Sequence, residues 1–186
     1  IESPVSLLAD DFMERLIFMF DIKYIPLDDE YGNLHIIVDK KDLTEYEYNS
    51  NIFYGICRGK TLCEWFKNNI KHILVDEPFP VKTCGITGAS MWLNSSKYVK
   101  NNIKELHVFH ELRQDWLWRH SIETCKEEFC LPFIVFRKVE SGIEISWNNK
   151  SHHYEGVEFK CLEGFEVVNE ENFKNKVLSF ICNFDS

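Results

Sequence analysis

The stretch LPFIVFRKVESGIEISW, residues 131–147, decides the fold class. Phe133 to Val139 is a mostly apolar run, rich in β-branched and aromatic side chains. It is too short for a buried helix and the right length for a strand. Glu140-Ser141-Gly142 follows as a tight turn. Beyond it Ile143, Ile145 and Trp147 alternate with polar residues, which gives the second strand one apolar face. Strands joined by so short a turn pair antiparallel. Downstream, NNKSHHYEG (148–156) reads as another turn and VEFKCLEGFEVV (157–168) as one or two more strands. NEENFKNKVLSFICNF (169–184) closes the chain as a helix, with Asn169 as its cap. Its inward residues are Phe173, Val177, Phe180, Ile181 and Phe184. A C-terminal meander followed by a helix predicts an α+β fold with an antiparallel sheet, not a doubly wound parallel one.

Working upstream, SPVSLLADDFMERLIFMF (3–20) has helical spacing at Val5, Leu8, Phe12, Leu16 and Met19 or Phe20, with Ser3 as cap and Pro4 in the first turn. DIKYIPLDDEYGNLHIIVDK (21–40) reads as two strands about an acidic turn, and a further strand is expected near 52–57. Thr61 and Glu64 have capping-box spacing, so a helix should run from there through Ile73 and bury Trp65, Phe66, Ile70 and Leu74. DEPFPVKTCGITGAS (76–90) holds two prolines and two glycines and reads as a loop. A short helical piece follows, then a long central helix from about Lys97 to Cys125. The expectation is one α+β domain over residues 1–186 with four to five helices. The chain opens on Ile1, so that domain is expected to be cut from a longer protein.

At 45% hydrophobic and 15% aromatic the chain has ample core material. The net charge of −9 is uneven: residues 1–50 carry 12 acidic and 4 basic side chains. An acidic surface disfavours binding to a phosphate backbone and suits a basic protein partner or solubility. The seven cysteines are odd in number and include no C-x-x-C pair, so reduced, mostly buried thiols in a cytoplasmic protein are expected. No apolar run approaches 18 residues and no basic-then-apolar leader is visible, so neither a membrane span nor a signal peptide is expected. Enrichment in Phe, Ile, Asn and Lys suggests an AT-rich genome; the setting expected for the domain is a prokaryotic, cytosolic system.

Chemistry concentrates in HELRQDWLWRH, residues 110–120. Arg113 and His120 are seven residues apart, so on a helix they share a face. There a histidine can move a proton while an arginine stabilises charge on a phosphorane-like intermediate. The spacing resembles the Arg-x4–6-His motif of HEPN-type ribonucleases. That resemblance covers this helix alone, implies Arg113 and His120 as a catalytic pair, and implies an all-helical fold. His107 and His110 can offer two metal ligands, with Glu111 or a cysteine as a third. Glu158-Phe159-Lys160 and Glu144 have the residue types of a strand-borne Mg²⁺ site. The GITGAS loop (85–90) can present backbone N–H groups to an anion.

None of these sets is complete. The leading expectation is therefore a non-enzymatic protein-interaction or regulatory module without a cofactor. In its most specific form it is an acidic immunity-type inhibitor covering a basic toxin site, with Asp28, Asp29, Glu30, Glu45 and Glu47 as contacts. The alternative is a nucleic-acid-cleaving enzyme that uses Arg113 with His120, or a metal on His107 and His110.

Overall fold

The computed structural model describes residues 18–99, 103–125, 130–150 and 154–184. Among them the chain is α+β, with antiparallel sheets and four α-helices. β1 (Phe20–Pro26) and β2 (Tyr31–Val38) form the expected hairpin about the acidic turn. β2 also pairs with β3 (Lys41–Asp42) and, further along, with β6 (Gly55–Arg58). β4 (Tyr46–Tyr48) lies between β5 (Asn51–Phe53) and β9 (Val157–Phe159) in a second sheet. The stretch that decided the fold class forms β7 (Ile134–Val139) and β8 (Gly142–Asn148). β10 (Glu163–Val168) pairs with β8 on its other side. The chain thus leaves that sheet between β8 and β10 to place β9 beside β4.

The helices are α1 (Gly59–Ile73), α2 (Gly88–Ser95), α3 (Ile103–His120) and α4 (Glu170–Cys182). The β7–β8 hairpin is covered on both faces. Ile134, Phe136, Ile143 and Ile145 join a core with Phe20, Leu34, Ile36, Leu62, Phe66, Phe173 and Val177 from β1, β2, α1 and α4. Phe133 and Val135 point the other way, into a smaller core with Ala89, Trp116 and Leu117 from α2 and α3. The period of two in β8 therefore marks two buried faces. Glu144 and Ser146, the polar members of the alternation, are buried as well.

Local structure departs from the sequence expectation at several points. The expected first helix lies outside the described residues up to residue 17, and its last position, Phe20, begins β1. The strand expected at 52–57 is split into β5 and β6, which pair with different partners. α1 starts at Gly59, two residues before Thr61, and its N-cap residue Arg58 makes no side-chain cap. The Gly59 N–H donates instead to the Tyr24 hydroxyl (3.2 Å), so Thr61 and Glu64 lie within the helix, past its cap. A capping box does form at α2, between Thr87 and Ser90. α3 ends at His120 and is followed by a single 3-10 turn, Ile122–Cys125, because Ser121 bridges to Val135 of β7.

Two hairpin turns contain no glycine although both central residues lie at positive φ. These are Asp39 (46°) with Lys40 (68°), and Asn49 (50°) with Ser50 (62°). A Cβ at such angles costs roughly 1 kcal/mol per residue, and primed turns favour glycine there for that reason. Lys40→Gly is expected to raise unfolding free energy by up to about 1 kcal/mol, less the extra chain entropy of glycine. Urea denaturation of the two proteins measures this, and a less stable variant would show that the lysine's contacts outweigh the relieved strain.

Candidate functional site

α3 carries the residues singled out by sequence. Its buried positions are Phe109, Arg113, Trp116, Leu117 and His120, one face at helical spacing. Arg113 and His120 do share that face, and it points into the protein. Arg113 is 8% exposed. Its guanidinium stacks on Trp92 (3.9 Å) with Phe109 nearby (5.3 Å), and it donates to the Trp92 carbonyl (3.0 Å). Burial lowers the guanidinium pKa, and the two aromatic faces offset part of the lost hydration.

His120 is fully buried. Its ring stacks on Trp116 at 4.3 Å and 12°, and Nδ1 lies 2.8 Å from the Trp116 carbonyl. A carbonyl only accepts, so Nδ1 carries the proton and Nε2 keeps its lone pair. Nε2 makes no hydrogen bond and sits 3.9 Å from Glu77 Oε2. Burial pushes the imidazole pKa down to about 4, against the opposing pull of the Trp116 carbonyl and the Glu77 charge. His120 is thus a neutral histidine inside the core, and its partners differ from those of Arg113.

Sequence reasoning did not single out Glu77, yet it organises this end of α3. Its carboxylate receives Arg119 at 2.5 Å on one oxygen, while His72 Nδ1 lies 3.5 Å from the other. Burial raises the Glu77 pKa, but the hydrogen bond and charge of Arg119, with His120 and His72, bring it net below the usual carboxylate value. Arg119 thereby reaches from α3 across to the loop after α1. Phe79 of that loop packs edge-on against Trp116 at 4.9 Å. Trp118 is 54% exposed. Its carbonyl accepts the indole N–H of Trp65 (2.8 Å), which ties α3 to α1.

His107 and His110 are both exposed, and His107 faces Glu111 across one helical turn at 3.3 Å. Among the described residues no group of three His, Cys, Asp or Glu side chains is arranged to hold a metal ion. Glu158 is exposed on β9 and Glu144 is buried on β8, in separate sheets.

The GITGAS loop does deliver an anion to a helix N-terminus, and the anion is the protein's own Glu144. Its Oε1 accepts the Gly88 N–H at 2.6 Å, and Ser146 Oγ accepts the Ala89 N–H at 3.0 Å. Arg137 donates to Glu144 Oε2 (2.6 Å) and to the Ile86 carbonyl (2.7 Å). With the Ser90 N–H taken by Thr87, the first donors of α2 are filled from within.

The five acidic residues proposed as contacts fall into two places. Asp28 accepts the N–H groups of Glu30 (2.8 Å) and Tyr31 (2.7 Å), which lower its pKa and lock the β1–β2 turn. Glu30 pairs with Arg58 at 2.8 Å, and Asp29 is exposed in the same turn. Glu45 and Glu47 flank the start of the β4–β5 hairpin, where Glu47 pairs with Lys160 at 2.5 Å. Cys57, Cys84, Cys130 and Cys161 are free thiols. Burial pushes the thiols of Cys57 and Cys130 up to about 12, which keeps them unreactive. Among the described residues no helix is long and apolar enough to cross a membrane.

In comparison with known proteins, the chain matches no family model, no curated protein and no solved structure.

Proposed function

We propose that this domain is a non-enzymatic, cytoplasmic protein-interaction module that binds a basic partner. The observation that carries this reading is the β4–β5 hairpin. Tyr48 through Phe53 are all exposed, including Ile52 at 47% and Phe53 at 40%. The hairpin turns at Asn49-Ser50; Tyr48 and Phe53 pack together on one of its faces and Ile52 stands opposite Glu47 on the other, so both faces of its tip offer apolar surface for contact. Glu45 and Glu47 lie alongside, and residues 24–54 carry seven carboxylates against two lysines. Such a surface fits a partner patch that is apolar at its centre and basic around it. An immunity-type inhibitor of a toxin from the same prokaryotic system is the specific form of this reading. The burial of His120 and Arg113 supports it over the nuclease alternative, because neither group is presented to a phosphodiester.

The test is affinity capture from cell extract with two baits, the native chain and the Glu45→Lys/Ile52→Asp/Phe53→Asp variant. A basic protein held by the native bait, released by salt and absent from the variant, is the expected result. Equal capture by both baits, or none by either, overturns the proposal. So does RNA cleavage by the native protein that His120→Ala abolishes without unfolding it.

A further inference from the structure

β5 is an edge strand of its sheet, and all three of its residues, Asn51, Ile52 and Phe53, are exposed. The turn at Asn49-Ser50, with both φ positive, makes Tyr48 and Asn51 the hydrogen-bonded pair that closes the hairpin. Bonding then alternates along the strands, so Ile52 lies opposite Glu47 in a non-hydrogen-bonded pair. The other side of β4 agrees. Glu45, just before β4, accepts the Lys160 N–H at 3.0 Å, so Glu47 bonds toward β9. Ile52 is therefore the residue of β5 whose N–H and C=O both point away from the sheet. The two faces beside this edge differ. Ile52, Glu47 and Glu158 form one row, and Glu45 lies beside Lys160 on the same face. The hydrogen bond and charge of Glu47, with the charges of Glu45 and Glu158, raise the Lys160 pKa, so three carboxylates surround this one ammonium. On the opposite face Tyr46 packs against Phe53 (5.8 Å) and Phe159 (5.9 Å), and Tyr48 against Phe53 (6.4 Å). Tyr48 and Phe53 leave that aromatic face open to solvent at the β5 edge.

We propose that the partner binds as a fourth, antiparallel β-strand that pairs with Ile52 and reads apolar–basic–apolar; this rests on the reading of the hairpin as the contact surface. One partner residue exchanges both main-chain hydrogen bonds with Ile52. Its side chain falls on the Ile52 face. A lysine or arginine there lays its stem along Ile52 and carries its charge toward Glu47. The residues on either side of it fall on the aromatic face, opposite Asn51 and Phe53, where apolar side chains cover the Phe53 ring. Antiparallel addition continues the pairing of β5, β4 and β9, and it is the more stable direction per residue. A single outward residue is too short an edge to template aggregation, and the carboxylates beside it select the strand that adds.

The probe is the peptide acetyl-Thr-Val-Lys-Val-Thr-amide, titrated to about 5 mM into the isotope-labelled full chain at low salt and followed by amide NMR. Shifts are expected at residues 48–53, with the Ile52 amide protected from exchange. Replacing the peptide lysine by glutamate should weaken binding roughly fivefold. Methylating the main-chain nitrogen of that lysine removes its donor to the Ile52 carbonyl and should weaken binding roughly tenfold. Glu47→Lys should reverse the preference between the lysine and glutamate peptides. Ile52→Pro removes an N–H at a position where an edge strand tolerates proline, and it should lose the peptide while circular dichroism shows it folded. Shifts over the hairpin without protection of Ile52, or equal binding of the methylated peptide, overturn strand addition and leave the hairpin as the contact surface. An unchanged preference in Glu47→Lys overturns the basic position of the strand. No shift at residues 48–53 also overturns strand addition, and the capture assay then decides the hairpin reading on its own.

Discussion

Lowering the pH from 6.5 to 4 is expected to remove about 3 kcal/mol of folding stability through His120 alone. The imidazole titrates near 4 in the folded protein because it is fully buried on Trp116. In the unfolded chain it titrates near 6.5. Between these values the unfolded state binds a proton that the folded state refuses, so stability rises with pH across the window. The contribution is complete above about 6.5 and is lost on acidification toward 4. Glu77 acts in the same direction at lower pH, since its folded pKa lies below the usual carboxylate value. His120→Phe keeps a ring on Trp116 and removes the titrating group. Urea denaturation at several pH values should show a steep acid slope for the native protein and a shallow one for the variant over this window. Equal slopes would mean that His120 is not the proton acceptor.

The same residue shows how far the sequence could be read. A spacing of seven puts Arg113 and His120 on one helical face, and they share it. Whether that face meets a cleft or a core depends on what covers it, and the cover is Trp92, Phe79 and Glu77, distant in sequence and in loop or short helix. Periodicity carries no information about such partners. It did carry the hairpin of β7 and β8, the acidic β1–β2 turn and the cap of α4, because each rests on neighbours a few residues apart. It misplaced the start of α1, where a tyrosine hydroxyl 35 residues away replaces the local cap. It gave no sign that Arg113 is buried and Trp118 exposed, because a charged group among aromatics and an indole in water both run against ordinary preference. The five carboxylates were legible as charge, but not as ion pairs with Arg58 and Lys160.

Glu144 offers the largest single-site effect on the fold. Removing its carboxylate by Glu144→Ala is expected to cost about 3–5 kcal/mol, the range for breaking a buried ion pair. Three groups lose their partner at once: the Gly88 N–H, the Arg137 guanidinium and the N-terminal end of the α2 dipole. Arg137 would keep only the Ile86 carbonyl and a contact to Met91 sulfur. Glu144→Gln should cost less, since its amide oxygen can still accept from Gly88 while its NH₂ group is set against Arg137. Arg137→Met with Glu144→Met removes both charges and should be milder than Glu144→Ala, because no buried charge is left alone. Denaturant unfolding gives the energies, and hydrogen exchange at Gly88 and Ala89 locates them. If the carboxylate anchors α2, these amides lose protection in Glu144→Ala before the rest of the core does. If they exchange only with global unfolding in every variant, α2 is held by Ala89 and its apolar neighbours, and the ion pair contributes little to its placement.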